Sequence, residues 1–209
     1  MPSGVVPDTY DGTSWVGLIG FRMENAGIGP GPGIPYFGSF NEVNVRLYSR
    51  ETDGTRGVVF LSLDATRLPV VLAARAAGVP YVWSRISQYH VASRAAGAVG
   101  TGYAVRRFRR GASSRFSAFP RNSVRAADPL SVFLTARFGM HGRFRGRTIY
   151  VPNSHEPWPL YPAELTDLDD NLVGAAGITV NGPPESVLFS PGVRARFGLP
   201  RVVPSGAQA

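Results

Sequence analysis

Short apolar runs rich in β-branched and aromatic residues recur along the chain, each closed by glycine, proline or a polar pair. Ser14 to Phe21 (SWVGLIGF) and Gly57 to Leu63 (GVVFLSL) have the composition of buried strands. Phe40 to Tyr48 alternates strictly between apolar and polar positions. Gly100 to Phe108, Arg115 to Phe119, Arg147 to Val151, Ser186 to Phe189 and Val193 to Phe197 complete a strand-heavy set. Two helices are predicted. One has Pro69 in its first turn and runs through VVLAARAA to a stop at Gly78. The other has Asp128 as N-cap and Pro129 at the first position, then LSVFLTARF up to Gly139. A third, shorter helix is expected over Asp167 to Ala176. Many antiparallel strands with two or three helices laid against them is an α+β plan. No repeat or long linker divides the chain, so residues 1–209 read as one domain.

Side chains alternate across a strand, so in SFNEVNVRLYSR Val43, Val45 and Leu47 share one face. Phe40, Glu42, Asn44, Arg46 and Tyr48 share the other. In a sheet with one open side that second face meets water. The two aromatics bracketing an acid, an amide and a guanidinium argue instead for a pocket that fixes a small carboxylate or carbonyl compound. Glu42 and Arg46 lie roughly 13 Å apart along the strand, so each needs a partner elsewhere. Further on, Gly78 and Pro80 mark a sharp helix-to-strand transition that aims Tyr81 and Trp83 to one side. Arg75, in the last helical turn, complements the helix dipole.

Composition removes several chemistries. All 22 basic residues are arginine, so no lysine is available to form an imine, and the absence of cysteine excludes disulfides and thiolates. No apolar run approaches the roughly 20 residues of a membrane span, and MPSGVVPDTYDG lacks a secretory leader, so the expected location is the cytoplasm. The loop GIGPGPGIP at 27–35 resembles a phosphate loop only superficially. Its prolines remove N–H donors and no helix pattern follows. His90, His141 and His155 match no metal-ligand spacing, so no metal and no cofactor is expected. No GxSxG elbow occurs.

Charge is uneven. Residues 94–147 hold twelve arginines against Asp128 alone, whereas the whole chain nets +8. Arginines there interleave with Phe108, Phe116 and Phe119, a mixture that suits single-stranded nucleic acid. The competing arrangement puts the rings in the core and the arginines on the surface, which predicts only weak, salt-sensitive attraction to nucleic acid.

The ordered segments PDTYDGTSWVGLIGFRM, SFNEVNVRLY, GVVFLSLDA, AARAAGVPY, FLTARF and HEPWPL closely resemble the YqjF-like family, from Pro7 to about Phe197. That family is a distant relative of acetoacetate decarboxylase. The resemblance implies an acetoacetate decarboxylase-like fold, with antiparallel sheets around a small central cavity. It also implies a Trp/His-containing opening stretch before PDTYDG that this sequence lacks. In acetoacetate decarboxylases a strand like FNEV supplies a pocket glutamate, which places Glu42 in that role. A later Gly-Arg-Glu, then Pro-Lys, supplies the Schiff-base lysine. Here the corresponding residues are Ala74-Arg75-Ala76, then Pro80-Tyr81. Tyr81 stands in the nucleophile's place, and a phenol forms no imine with a ketone.

The expected function is small-molecule binding in a pocket lined by Glu42, Asn44, Arg46, Arg75 and Tyr81. The alternative is a lyase or hydrolase with Glu42 as acid–base and an arginine holding a carboxylate. A desolvated Glu42 with a raised pKa favours the enzyme, and an ion-paired one favours simple binding. A homo-oligomer is compatible with either.

Overall fold

The computed structural model describes residues 1–26, 38–92, 99–109, 111–121 and 124–204. The glycine/proline loop expected at 27–35, and Arg94 and Arg110 of the basic segment, lie outside the described residues.

Four short or edge strands come first: β1 (Val5–Pro7), β2 (Thr9–Tyr10), β3 (Thr13–Ser14) and β4 (Val16–Met23). β2 and β3 form a hairpin whose turn, Asp11-Gly12, has φ of 49° and 73°. Two successive positive φ values define the type I′ turn that Asp-Gly favours. Then follow β5 (Phe40–Glu51), β6 (Arg56–Ala65), α1 (Leu68–Ala76), β7 (Tyr81–Ala92), β8 (Val99–Arg107) and β9 (Ser113–Pro120). The last third holds α2 (Pro129–Thr135), β10 (Gly139–Phe144), β11 (Arg147–His155), β12 (Tyr161–Asp170), α3 (Leu172–Ala175), β13 (Leu188–Phe189), β14 (Ala195–Phe197) and β15 (Arg201–Val202).

All but the β2–β3 hairpin join one mostly antiparallel sheet, the α+β class expected from the sequence. Two pairings are parallel, which the expectation of antiparallel sheets did not include. The reason for one is topological: β6, α1 and β7 form a crossover unit, and such a helix returns the chain beside its starting strand in the same direction. β6 is the branch point. One edge pairs with β5. The other is shared, with Leu63–Ala65 beside β7 and Val58–Val59 beside β10. A register shift in the β5–β6 pairing, where Leu61 is skipped, sits between the two branches.

β5 is therefore covered on both faces. Val43 and Val45 pack with Ile86, Tyr103, Val105 and the α3 residues Leu172 and Val173. On the opposite face, Phe40 packs with Ala65, Tyr81 and the α1 residue Val71. Farther along, Tyr48 packs with Phe133 and Leu134 of α2. Glu42, Asn44 and Arg46 lie between these two clusters, on the face that carries α1 and α2.

Asp128 caps α2 as expected, its side chain accepting from the Ser131 amide at 2.9 Å. The helix stops at Thr135, short of Gly139, because Arg137 turns inward. Its Nε donates to the Phe133 carbonyl and its Nη1 to Asp8. The helix expected over Asp167 to Ala176 is corrected more sharply. Asp167 to Asp170 finish β12, whose pairing with β9 brings Asp167 to Arg115 at 2.8 Å. Only Leu172–Ala175 is helical, capped by Asp170 through the amides of Leu172 and Val173. The rings of Phe116 and Phe119 are half-buried, but Phe108 is 49% exposed, which overturns its assignment to the core. β8 ends at Arg107, so Phe108 lies beyond the covered part of the sheet.

A buried ion pair joins β6 to β8. Arg107 makes a bidentate contact to Asp64, both distances 2.8 Å, with Nη2 also donating to Ser62 and Ser84 donating to Asp64 at 2.6 Å. Neither charge is more than 6% exposed. Removing one partner strands the other, so Arg107→Leu is expected to lower unfolding free energy by about 3–5 kcal/mol. The double variant Asp64→Leu/Arg107→Leu recovers most of that loss, as urea unfolding followed by circular dichroism will show.

Candidate functional site

Glu42 faces Phe21 of β4 on one side and Ala65 of β6 on the other, both apolar, and is 2% exposed. A carboxylate so placed must find hydrogen bonds within the protein. It finds two: Tyr81 donates its phenolic hydrogen to Oε2 at 2.7 Å, and Asn44 Nδ2 donates to Oε1 at 3.4 Å. No cation pairs with it among the described residues. Burial pushes its pKa up to about 7, only partly offset by the bonds from Tyr81 and Asn44. Tyr81 is held protonated far above the ordinary phenol range, by its own burial and then by the neighbouring Glu42 charge.

Tyr81 reaches Glu42 because β7 restarts immediately after the α1 stop. Gly78, at φ 82°, ends the helix with its amide bonded to the Arg75 carbonyl. A Cβ there would lie 2.3 Å from the Arg143 carbonyl oxygen, so both the left-handed conformation and the close approach require glycine. Leu63 and Tyr81 are register partners, which puts the phenol one strand away from β5's polar row.

Asn44 is also 2% exposed, and its Oδ1 is buried with no hydrogen-bond partner. Arg46 is half-buried. Its Nη2 donates to the Leu134 carbonyl of α2 at 3.3 Å, while its Nε is buried without a partner. The structure thus brings Glu42, Asn44, Arg46 and Tyr81 to one helix-covered face. The outer, water-facing alternative for this row does not hold for Glu42 or Asn44. Arg75 stands apart: it is exposed in the last turn of α1, where it complements the helix dipole. Two open concavities lie elsewhere, one of about 570 Å³ lined by Phe138, Pro152, Asn153, Arg196 and Phe197, the other of about 420 Å³ lined by Asp8, Thr9, Arg50 and Arg56.

Sequence reasoning missed a second polar chain on β5. Ser49 Oγ lies 2.9 Å from His141 Nδ1, His141 Nε2 lies 3.0 Å from Glu51, and Arg201 donates two bonds to Glu51. The order serine–histidine–carboxylate is that of a hydrolase triad. Ser49 has no exposed surface, however, and burial holds the His141 pKa down despite the Glu51 contact. These residues are a structural tie between β5, β10 and β15. The signal available in sequence was the i, i+2 spacing of Ser49 and Glu51; His141 comes from a strand that the sequence did not announce.

The family model described as "Uncharacterized conserved protein (COG2071)", DUF2071, matches residues 1–194. Uncharacterized protein YqjF of Bacillus subtilis (strain 168) is 30% identical over 194 residues, 89% of this chain and 74% of that one. Among solved structures, the enduracididine biosynthesis enzyme MppR with HEPES buffer bound is similar at a TM-score of 0.50 and 13% identity, over 81% of this chain and 66% of that chain. An acetoacetate decarboxylase-like enzyme from Sphingomonas wittichii RW1 is similar at a TM-score of 0.48 and 12% identity, over 64% of this chain and 56% of that one. The fold is similar to that of MppR, and by its sequence the chain belongs to the DUF2071 family.

Proposed function

We propose that the helix-covered face of β5 binds a small organic carboxylate or carbonyl compound through Glu42, Asn44, Arg46 and Tyr81, without forming an imine. The observation that carries this reading is the pair of unsatisfied buried atoms, Asn44 Oδ1 and Arg46 Nε, on the strand face that also carries Glu42. A buried polar atom left without a partner costs about 1–3 kcal/mol. A ligand carboxylate or carbonyl oxygen accepting from Arg46, with a hydroxyl donating to Asn44, recovers that loss. Tyr81 cannot serve as the nucleophile of a decarboxylase, because its proton is committed to Glu42 and a phenol adds to a ketone only reversibly and without an iminium electron sink.

A second reading is supported by the state of Glu42. It is desolvated, not ion-paired, and its pKa of about 7 suits a general base at neutral pH. In that role the carboxylate takes a proton from the carbon next to a ligand carbonyl. The electron pair moves onto the carbonyl oxygen, and the proton returns from Glu42 or is replaced from water.

Isothermal titration with pyruvate and acetoacetate tests the binding reading. At least one is expected to bind, with Arg46→Met weakening it roughly tenfold or more. Absence of binding by both, or unchanged binding in Arg46→Met, overturns the reading. For the acid–base role, the methyl protons of pyruvate are expected to exchange in D₂O in the presence of the protein. The rate rises as pH passes through about 7 and is lost in Glu42→Gln. Mass spectrometry after borohydride treatment with acetoacetate should show no adduct.

The same group makes folding stability depend on pH. Between the ordinary glutamate pKa and about 7 the folded protein keeps a proton on Glu42 that the unfolded chain has released. Stability from this group is therefore complete at lower pH and is lost as pH rises to about 7, an effect of about 3 kcal/mol. Glu42→Gln flattens that slope in urea unfolding. Tyr81→Phe removes a bond to the charged carboxylate and so moves the midpoint upward.

A further inference from the structure

On the same face of the sheet, beyond Tyr81, the first turns of β7 and the end of β8 leave a surface that the fold does not cover. Trp83 is 40% exposed and Phe108 49% exposed, and their ring centroids lie 4.2 Å apart. The contact is held by the backbone, since the Phe108 amide donates to the Trp83 carbonyl at 3.4 Å. Two residues along, about 7 Å away, Arg85 and Arg106 are exposed and directly opposite each other in the β7–β8 register. Like charges in that position destabilise a strand pair. No carboxylate pairs with Arg85, Arg106 or Arg109 among the described residues. Roughly 13 Å farther along β7, Tyr89 lies under the guanidinium of Arg115, 5.0 Å from the ring centroid. Acids begin only with β12, where Asp167 pairs with Arg115 and Asp169 stands opposite it.

We propose that this strip of β7 and β8 binds single-stranded nucleic acid, with bases on Trp83 and Phe108 and phosphates on Arg85, Arg106 and Arg109. Aromatic platforms flanked by arginine are how sheet surfaces hold single strands without reading sequence. The expectation of weak attraction alone depended on Phe108 lying in the core, and that premise is removed. The cross-strand arginine pair also selects the occupant. A two-fold contact between copies of the chain would set this strip against itself and add to the repulsion. A polyanion relieves it.

The test is fluorescence anisotropy with a fluorescein-labelled oligothymidylate of about 15 nucleotides, titrated across salt. Binding is expected to persist at about 0.15 M salt and to exceed that of a duplex of the same length. Trp83→Ala/Phe108→Ala should weaken it roughly tenfold or more with thermal unfolding little changed, because both rings are exposed. Arg85→Gln/Arg106→Gln should reduce the slope of log affinity against log salt by about 1–2, and provides an independent readout if the aromatic variant does not fold. Three results overturn the proposal. One is binding that vanishes near physiological salt, or that is matched by duplex or heparin. Another is unchanged affinity in folded Trp83→Ala/Phe108→Ala. The third is a Trp83-dependent dimer, or Trp83-dependent capture by anionic lipid vesicles, without oligonucleotide binding.

Discussion

A strand covered on both faces leaves few polar side chains to water, and on β5 six polar or charged side chains are at least partly covered while Arg50 alone among its described residues is exposed. That constraint organises the molecule. Glu42 is tied to Asn44 and, through Tyr81, to β7, while Arg46 reaches the end of α2. Ser49 and Glu51 tie β5 to β10 and β15 through His141 and Arg201. Each bond is needed because the alternative is an orphaned polar group in an apolar setting. Their joint effect is to tie β5 to β7, β10, β15 and α2, elements that do not pair with it in the sheet. The two atoms this network fails to satisfy, on Asn44 and Arg46, are conspicuous for the same reason.

A tyrosine at the position where the resemblance implies the decarboxylases' lysine bears on more than the nucleophile. A lysine beside Glu42 would supply a cation, keep the carboxylate ionised and lower its pKa. The phenol supplies only a hydrogen bond, so burial dominates and Glu42 moves up toward neutrality. The phenol can form no imine, and the chemistry proposed for this site is instead proton transfer by a carboxyl with a pKa of about 7.

Segments distant in sequence meet for reasons that are electrostatic as well as apolar. Asp8, from PDTYDG, accepts from Arg137, from FLTARF, and from Arg56. Burial works to raise the Asp8 pKa, but the two guanidiniums outweigh it and hold the group below the ordinary range. Arg137 in turn lies over the Phe133 and Tyr48 rings at 4.2 and 5.0 Å. A cluster of twelve arginines in the sequence is therefore not a single surface. Arg107 and Arg137 are internal ties, Arg115 is paired, and Arg85 of the preceding strand joins the remainder that is exposed among the described residues.

Local rules were enough for much of the fold. Alternation placed Glu42, Asn44 and Arg46 on one face of a strand. Asp128-Pro129 gave the start of α2, and Gly78-Val79-Pro80 gave the turn that aims Tyr81. The missing lysine excluded an imine on a lysine side chain, since no folding can restore an absent functional group. What depended on distance in space was not legible. Whether the Glu42 row met water or protein turned on two helices arriving from residues 68–76 and 129–135. Whether Asp167 to Asp170 were helix or strand turned on a partner, β9, about fifty residues away. Phe108 was misplaced for a related reason. Its local pattern suited burial, but burial depends on what the rest of the chain lays over a side chain, and nothing was laid over this one.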